Sequence, residues 1–558
     1  MSKFLGKRST HLLALLLSPM TVNAAGFSTP DAGTLLQQIA PVPQAPVFTE
    51  RPALKIEGDS SAALPVSQAF LVKRFEITGN TVLPSSALLA LLAKEEGISM
   101  NLNQLGILIQ RLNDYYRSRG YLLARAMIPA QTITAGVVRI EIMEGNYGEV
   151  SLLNTSRVKS GVLHSLLTPL VKGEVIRSQP LDRSLLLLSD ANGSGVNASL
   201  KPGLAVGSAD LTVEVTPAPA LSGNLALDNF GSRLTGHSRL GATLAYSNPL
   251  GLGDSLALNL LTSGSGMQYG RLAYELLVNG QGSRMGLSYS DLSYSLGDSL
   301  ANLKAHGTAS VQSLWFKHPL QRSLEHNINA QLQFDRLDLR DAIDSAAIRT
   351  SRQVLGITSN LSGDSRDSLI GGGFTSWSLG ISGGQLTLND AAAKQTDAAT
   401  ARSDGNYLKG NANLMREQSM GNGNTLLLSA SAQWAKNNLD SSQKIAIGGP
   451  FSVRSLAIGS SAGDSAFIFN AEYRHALGLL GQGQLTAITF FDNASVMINA
   501  RPWVSGKNLS HFYGAGLGLM WTHPNQWTLR SFVATPLWSE PGSNPAPVQG
   551  WLSLSKGF

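Results

Sequence analysis

From Leu221 to Phe558 the chain alternates between apolar and polar side chains, and no helical period persists. Between Asn327 and Asp335, Ile328, Ala330, Leu332 and Phe334 share one face, while Asn329, Gln331 and Gln333 share the other. Leu256, Leu258 and Leu260 repeat in the same way, as do Leu426, Leu428, Ala430, Ala432 and Trp434. A period of two belongs to a strand. A polar face of Asn, Gln and Ser suits a wet lumen better than a packed core. A sheet that is apolar outside and wet inside, with no edge left in lipid, is a membrane β-barrel. At roughly 20 residues per strand and connection, the stretch allows about sixteen strands. A soluble sandwich or propeller is the competing class.

Composition agrees with this reading. Charged residues are only 14%, glycines number 57, and mean hydropathy is close to zero. A chain of 558 residues is too long for one ordinary domain. Cysteine is absent, which excludes disulfides and thiolate metal sites. Lys3, Lys7 and Arg8 precede an apolar run from Leu12 to Leu17, and Val22-Asn23-Ala24 offers small residues for cleavage. This is the pattern of a secretory signal over residues 1–24, too short to span a bilayer. Those three cations supply half of the formal net charge of +6. No concentrated basic stripe remains, so a nucleic-acid partner is not indicated.

Ahead of the barrel, the organisation reads as a helix (25–45), a linker (46–69), two α+β modules (70–145 and 146–216), and a barrel from 217 to 558. Asp31 is placed to cap a helix with Leu35, Leu36 and Ile39 on one face, and Pro41, Pro43 and Pro46 end it. The first module predicts a strand over Phe70–Thr78 and helices over Pro84–Leu92 and Leu102–Arg119. Strands over Tyr121–Ile128 and Val137–Met143 follow. Leu105, Leu108, Ile109, Leu112 and Tyr116 form the apolar face of the longer helix, and Gly120 ends it. Residues 146–216 repeat the plan, with helices near Val158–Leu170 and Leu181–Leu188. An open sheet edge beside a helix groove is a place where an extended peptide can add as a strand.

The most specific loop is Gly448-Gly449-Pro450-Phe451-Ser452-Val453-Arg454. A Gly-rich turn delivers a single arginine into the barrel region, and a lone charge in a dry place is costly. Asp492 is the candidate partner. The bland reading of Arg454 is an ordinary lumen charge or a lipopolysaccharide contact. Gly253-Asp254-Ser255-Leu256 and Gly297-Asp298-Ser299-Leu300 spell an esterase motif, but each lies at a turn into alternating residues, so hairpin chemistry explains the duplication better. The nine histidines lack metal-ligand spacing, and Gly514-Ala515-Gly516-Leu517-Gly518 lacks the following helix of a dinucleotide loop. Neither an enzyme nor a cofactor is indicated.

Together these motifs resemble the outer-membrane transporters of two-partner secretion, within the outer-membrane insertase and translocase superfamily. Phe75-Glu76-Ile77-Thr78-Gly79-Asn80 resembles the opening strand of that family's first polypeptide-transport-associated (POTRA) domain. Tyr115-Tyr116, Gly120-Tyr121, Pro129, Gln131, Gly136 and Glu144-Gly145 fall where its recurrent residues lie. Asp228-Asn229, Gly231, Gly236, Asn248-Pro249-Leu250-Gly251 and Gly253-Asp254 resemble its first barrel hairpin. Val453-Arg454 and Phe491-Asp492 resemble its two C-terminal signatures, although the family loop continues with Gly and an aromatic where this chain has Ser455-Leu456.

The resemblance implies tandem periplasmic POTRA domains before a barrel in the cell outer membrane. Phe75, Gly79, Asn80, Tyr116, Gly120, Tyr121 and Gln131 would mark the region that recognises an unfolded client. Gly448, Gly449, Val453 and Arg454 would form the secretion loop, with Asp492 as lumen partner, and the N-terminal helix would plug the pore. The client would be a large exoprotein such as an adhesin, a haemolysin or a contact-dependent toxin. The other implied contacts are outer-membrane lipids, with no cofactor. A barrel-protein assembly factor of the same architecture is the first alternative, and a barrel-anchored esterase using Ser255 or Ser299 is the second.

Overall fold

The computed structural model describes residues 29–39, 53–56, 67–192, 195–538 and 546–558. The expected signal (1–24) and most of the linker lie outside the described residues. Helix α1 (Ala32–Ile39) follows Asp31, whose Oδ1 accepts from the Thr34 amide at 2.8 Å, the capping expected from sequence. Strand β1 (Ala53–Ile56) comes next.

The first module contains β2 (Phe70–Val72), β3 (Arg74–Thr78), α2 (Ser85–Ala90), β4 (Ile98–Met100), α3 (Leu102–Ser118), β5 (Arg125–Met127) and β6 (Val137–Met143). Its main sheet runs β3-β6-β5, and β2 pairs apart with β4. Two expectations are corrected. The single strand over Phe70–Thr78 is two strands, because the Lys73 and Arg74 amides both turn to the Gly136 carbonyl (2.7 and 3.4 Å). The strand over Tyr121–Ile128 is only β5. Tyr121 instead closes the end of α3, donating its amide to the Tyr116 carbonyl at 3.0 Å and setting its ring edge-on to Tyr116.

The buried carboxylate of Glu144 ties the end of β6 to α3 and to the turn after β3. It accepts from the Thr81 amide (2.8 Å), the Val82 amide (3.0 Å), the Thr81 hydroxyl and the Tyr116 phenol (3.1 Å). Burial and this carboxylate both push the Tyr116 phenol well above its ordinary pKa.

The second module has β7 (Asn146–Asn154), α4 (Ser160–Leu167), α5 (Ser178–Asn192), β8 (Val196–Pro202) and β9 (Ser208–Val215). Its sheet order is β1-β8-β9-β7, so the linker strand β1 lies parallel on the β8 edge, from Ala53↔Asn197 to Ile56↔Leu200. The module is fastened to the barrel turns. The Lys159 amide donates to the Gly251 carbonyl (2.9 Å), Arg183 to the Pro319 carbonyl (2.9 Å), and Arg322 pairs with Asp190 (2.8 Å).

Sixteen antiparallel strands close the barrel in sequence order, from Leu221–Asp228 to Gln549–Gly557. Those two strands pair over Asn224↔Gly557 to Asp228↔Ser553, and Phe558 exchanges amide–carbonyl bonds with Gly223 (2.9 and 3.0 Å). Leu332, Phe334 and Trp434 are exposed on the outer face. Gln331, Gln333 and Asp335 instead hydrogen-bond one another on the inner face. A short helix, α6 (Ala391–Ala399), departs from the all-strand expectation in the connection after Gly373–Leu388. Its alanines favour a helix, but nine residues are too few for a visible period.

Glu144→Ala strips the acceptor from the buried Tyr116 phenol and from the part-buried Thr81 and Val82 donors, and should destabilise the first module by about 2–4 kcal/mol. Protease nicking within residues 70–145 should accelerate while the heat-modifiable mobility of the barrel stays unchanged. An unaltered nicking rate would refute this role.

Candidate functional site

The connection between strands Asn424–Ala435 and Ser465–Leu480 folds back into the barrel. Its stem is a short hairpin pairing Ile445–Ile447 with Ser461–Gly463. Buried Asp464 braces the base, accepting from the Leu439 amide (3.1 Å) and the Ala500 amide (2.8 Å) and pairing with Lys444 (3.0 Å). Gly448 and Gly449 turn the tip with φ of +103° and +97°. A Cβ on Gly448 would lie 2.1 Å from the Ala457 carbonyl oxygen, so only glycine permits this turn. Val453 is buried against Ile447, Ala466, Ile468, Ala494 and Val496, and that packing holds Arg454 at a fixed height.

Arg454 and Asp492 meet, as the sequence led us to expect. The Arg454 side chain is 2% exposed and Asp492 0%. Arg454 Nε donates to Asp492 Oδ2 (2.9 Å), Nη2 to Oδ1 (2.6 Å), and the Arg454 amide also reaches Oδ2 (2.9 Å). This is a bidentate fork with a third, backbone donor. Phe490 lies under the guanidinium, 3.6 Å from its carbon to the ring centroid, and Phe532 flanks it at 5.3 Å.

The rest of the site is not among the residues expected from sequence. Glu472 accepts from Arg454 Nη1 at 2.6 Å, and its second oxygen pairs with Arg474 at 2.8 Å. Two guanidinium groups therefore face two carboxylates. Asn470 donates to Asp492 (2.8 Å) and to the Ser452 carbonyl (2.6 Å), and Trp551 Nε1 donates to the Arg454 carbonyl (2.7 Å). Phe451 packs edge-on against Phe230 at 5.5 Å, so the tip touches residues beside both closing strands.

The departure at Ser455-Leu456 has a structural counterpart in the wall. Ser455 is buried, and a Cβ on Gly514 would lie only 2.4 Å from its Oγ. Gly514, on strand Leu509–Thr522, is thus the point of the wall on which Ser455 seats. Leu456 joins the cluster around Val453.

The candidate recognition residues lie apart from this centre, in the first module. Phe75 and Tyr116 are buried in its core, and Gly79 and Gly120 take positive φ at element ends. Asn80 bonds the Leu83 carbonyl (2.8 Å), and Gln131 bonds the Arg139 backbone (2.7 and 2.9 Å). These side chains shape the module from within, and the apolar groups on its surface are Leu71, Ile98 and Ile107. The esterase-like serines stand at opposite barrel ends. Asp254 closes the first turn, accepting from the Leu250 and Leu252 amides and Tyr274.

Removing either member of the Arg454–Asp492 pair leaves the other uncompensated in a dry place, at a cost of about 3–5 kcal/mol. Arg454→Ala and Asp492→Ala should each lower barrel unfolding temperature, and the double variant should fall well short of their sum. Strict additivity would deny the contact. Gly514→Ala should dislodge the loop at about 1–3 kcal/mol by overpacking, and Ser455→Gly in the same chain should restore it. Equal thermal stability of Gly514→Ala with and without Ser455→Gly would refute the seat.

The comparisons with known proteins agree with this architecture. The family described as haemolysin secretion/activation protein ShlB/FhaC/HecB matches residues 207–520, more than half of the chain. The POTRA domain of ShlB type matches residues 70–145. The chain is 27% identical over 499 residues to the heme/hemopexin transporter protein HuxB of Haemophilus influenzae, covering 88% of this chain and 87% of that protein. It shares its fold with CdiB from Escherichia coli (TM-score 0.71, 19% identity, 90% and 93% of the two chains). A BamA from Haemophilus ducreyi lacking POTRA domains 1–3 aligns with a TM-score of 0.51 at 15% identity, over 88% of this chain and 100% of that one. The barrel stands in the outer membrane with its N-terminal domains in the periplasm. The chain belongs to the haemolysin secretion/activation protein family, the outer-membrane transporters of two-partner secretion.

Proposed function

We propose that this chain passes a large, unfolded exoprotein outward through its lumen, with the Arg454 loop and helix α1 as the two elements that close the path at rest. One observation supports this reading above the others. A cavity of about 1450 Å³ extends from Leu187 and Asp190 on α5 of the second module to Pro450, Phe451 and Arg454 at the loop tip. Arg239, Glu275, Asn329 and Arg474 line it beside Phe230 and Trp377, so its wall mixes charged, polar and apolar groups that an extended chain of any sequence could pass. The apolar outer belt contacts lipid. The secretion role of Gly448, Gly449, Val453, Arg454 and Asp492 is to hold the loop home until the client arrives.

Client capture belongs to the periplasmic modules. Backbone pairing at a sheet edge is sequence-tolerant, which suits a long unfolded chain. In the first module the edges carry side-chain covers: Glu96 accepts from the Phe75 amide (3.1 Å) and Asn113 from the Ala126 amide (2.7 Å). Among the described residues, the β8 edge of the second module is covered by four residues of linker, β1. We place client addition at that edge, in competition with β1, with the surface of the first module as its continuation.

Arg454→Ala should cut exoprotein in the medium by at least about tenfold while the barrel remains inserted and heat-modifiable, because breaking the buried pair frees the loop. Normal secretion would end this reading. Deleting residues 26–40 should raise conductance in planar bilayers. Deleting residues 53–56 should tighten binding of a denatured N-terminal client fragment beyond micromolar order, roughly −8 kcal/mol, because the edge is then vacant. Unchanged affinity in calorimetry would return the modules to the role of spacers.

A further inference from the structure

Helix α1 is short. Ala32 and Leu35 are buried in one apolar cluster with Met267, Leu292 and Leu339, and beside that seat the charged contact of the helix falls on Arg352, on strand Ile348–Asp367. Arg352 Nη2 reaches Asp31 Oδ2 at 2.6 Å, and Nη1 reaches Asp341 Oδ2 at 2.7 Å. Its Nε lies 2.8 Å from Asp440 Oδ2, an ion-pair distance off the hydrogen-bond line. These three carboxylates come from three parts of the chain: the start of α1, the wall strand His326–Ile343, and the base of the Arg454 loop. The Arg352 side chain is 7% exposed, so the charges meet where water screens them little.

The loop base supplies more than a charge. Ser441 Oγ donates to Asp31 Oδ2 (2.7 Å), and Gln37 Nε2 donates to the Ser442 carbonyl. A Cβ on Gly33 would lie 2.4 Å from Ser441 Oγ, so glycine is what lets α1 close on the loop. From the wall, Asp341 Oδ1 accepts from the Ala32 amide (2.8 Å) and from the Tyr294 phenol (2.7 Å). Asp31 meanwhile spends its other oxygen on the helix cap. Shape and seating of α1 thus share one carboxylate, and an isolated helix of this length is marginal in water.

We propose that Arg352 is a positioning residue that catches the plug and the secretion-loop base on one guanidinium, so that each is held less firmly when the other leaves. This rests on the plug reading of α1 given above. Coupling of this kind is reciprocal: whatever loosens the loop base favours plug exit, and plug exit loosens the loop base.

Single-channel conductance of the full chain in planar bilayers tests it, with deletion of residues 26–40 as the unplugged reference. Asp31→Asn keeps a capping oxygen and removes only the charge. It should raise the fraction of time open at least about tenfold, as loss of one partner of a buried pair requires. Asp440→Asn changes a carboxylate that pairs with Arg352 from the loop base rather than from α1, and it should also raise that fraction. In an Arg352→Gln background neither change should add to the effect, and Arg352→Lys should restore part of the closure. If Arg352→Gln fails to insert, as heat-modifiable mobility would reveal, the Asp31→Asn and Asp440→Asn pair carries the test. Wild-type closure in Asp31→Asn, with a conducting deletion, overturns the catch and leaves the plug. Wild-type closure in the deletion as well overturns the plug itself. Opening in Asp31→Asn but not in Asp440→Asn overturns the coupling to the loop.

Discussion

The loop in the lumen depends on the burial of Arg454. A guanidinium placed 2% exposed inside a barrel must be matched there, and it is matched by Asp492 and Glu472, with Arg474 balancing the second carboxylate. Such a cluster adds little net stability over an apolar packing of the same volume, but it penalises every arrangement in which one partner is missing. That property suits a loop that must be either fully home or fully released. The neighbouring glycines serve the same end by letting the tip approach the wall at Gly514.

A second ionic centre stands elsewhere in the lumen, around Arg352, and is joined to the first through the same connection: its base carries Asp440 and its tip carries Arg454. Between them lies the hairpin stem Ile445–Ile447 and Ser461–Gly463, braced by Asp464. Helix α1, the loop and the wall are therefore related by buried charge, which can be broken and remade at the same place, as well as by the apolar packing of Ala32 and Leu35. An apolar contact of similar area would tolerate sliding, because it has no direction. At the periplasmic end the second module is fixed to the barrel turns, and the linker strand β1 occupies the β8 edge. Helix α1 and strand β1 lie close together in the chain, and β1 ties that stretch to β8 of the second module.

Much of this architecture is legible in the residues alone. The period of two and the Asn/Gln/Ser inner face announce a barrel because lipid outside and water inside impose opposite demands on alternate residues. The Gly-Gly turn announces a tight loop, and its lone arginine demands an acid. Glu472 and Asn470 are not legible as partners of Arg454 and Asp492, for a specific reason. The hairpin Ser465–Leu480 with Gly483–Met497 carries a register shift between Ala476 and Gly478. Without it Asp492 would stand opposite Ala471, and Glu472 would face lipid, because a one-residue slip turns every side chain to the other face. No local pattern in the sequence declares such a bulge.

The sequence by itself pointed to a barrel of about sixteen strands with two modules before it, because these follow from periodicity, and it offered Asp492 as a candidate partner for Arg454, because an unpaired buried charge is costly. Tertiary structure alone decided what fills the lumen. It brought Asp31, Asp341 and Asp440 together on Arg352 from distant parts of the chain. It laid Ala53–Ile56 on a sheet edge that the pattern showed as open. It also set Ser455 against Gly514, the two halves of one fit. These are contacts between elements whose own periods are satisfied either way, so only the closure of the barrel, which fixes who faces whom across the lumen, chooses among them.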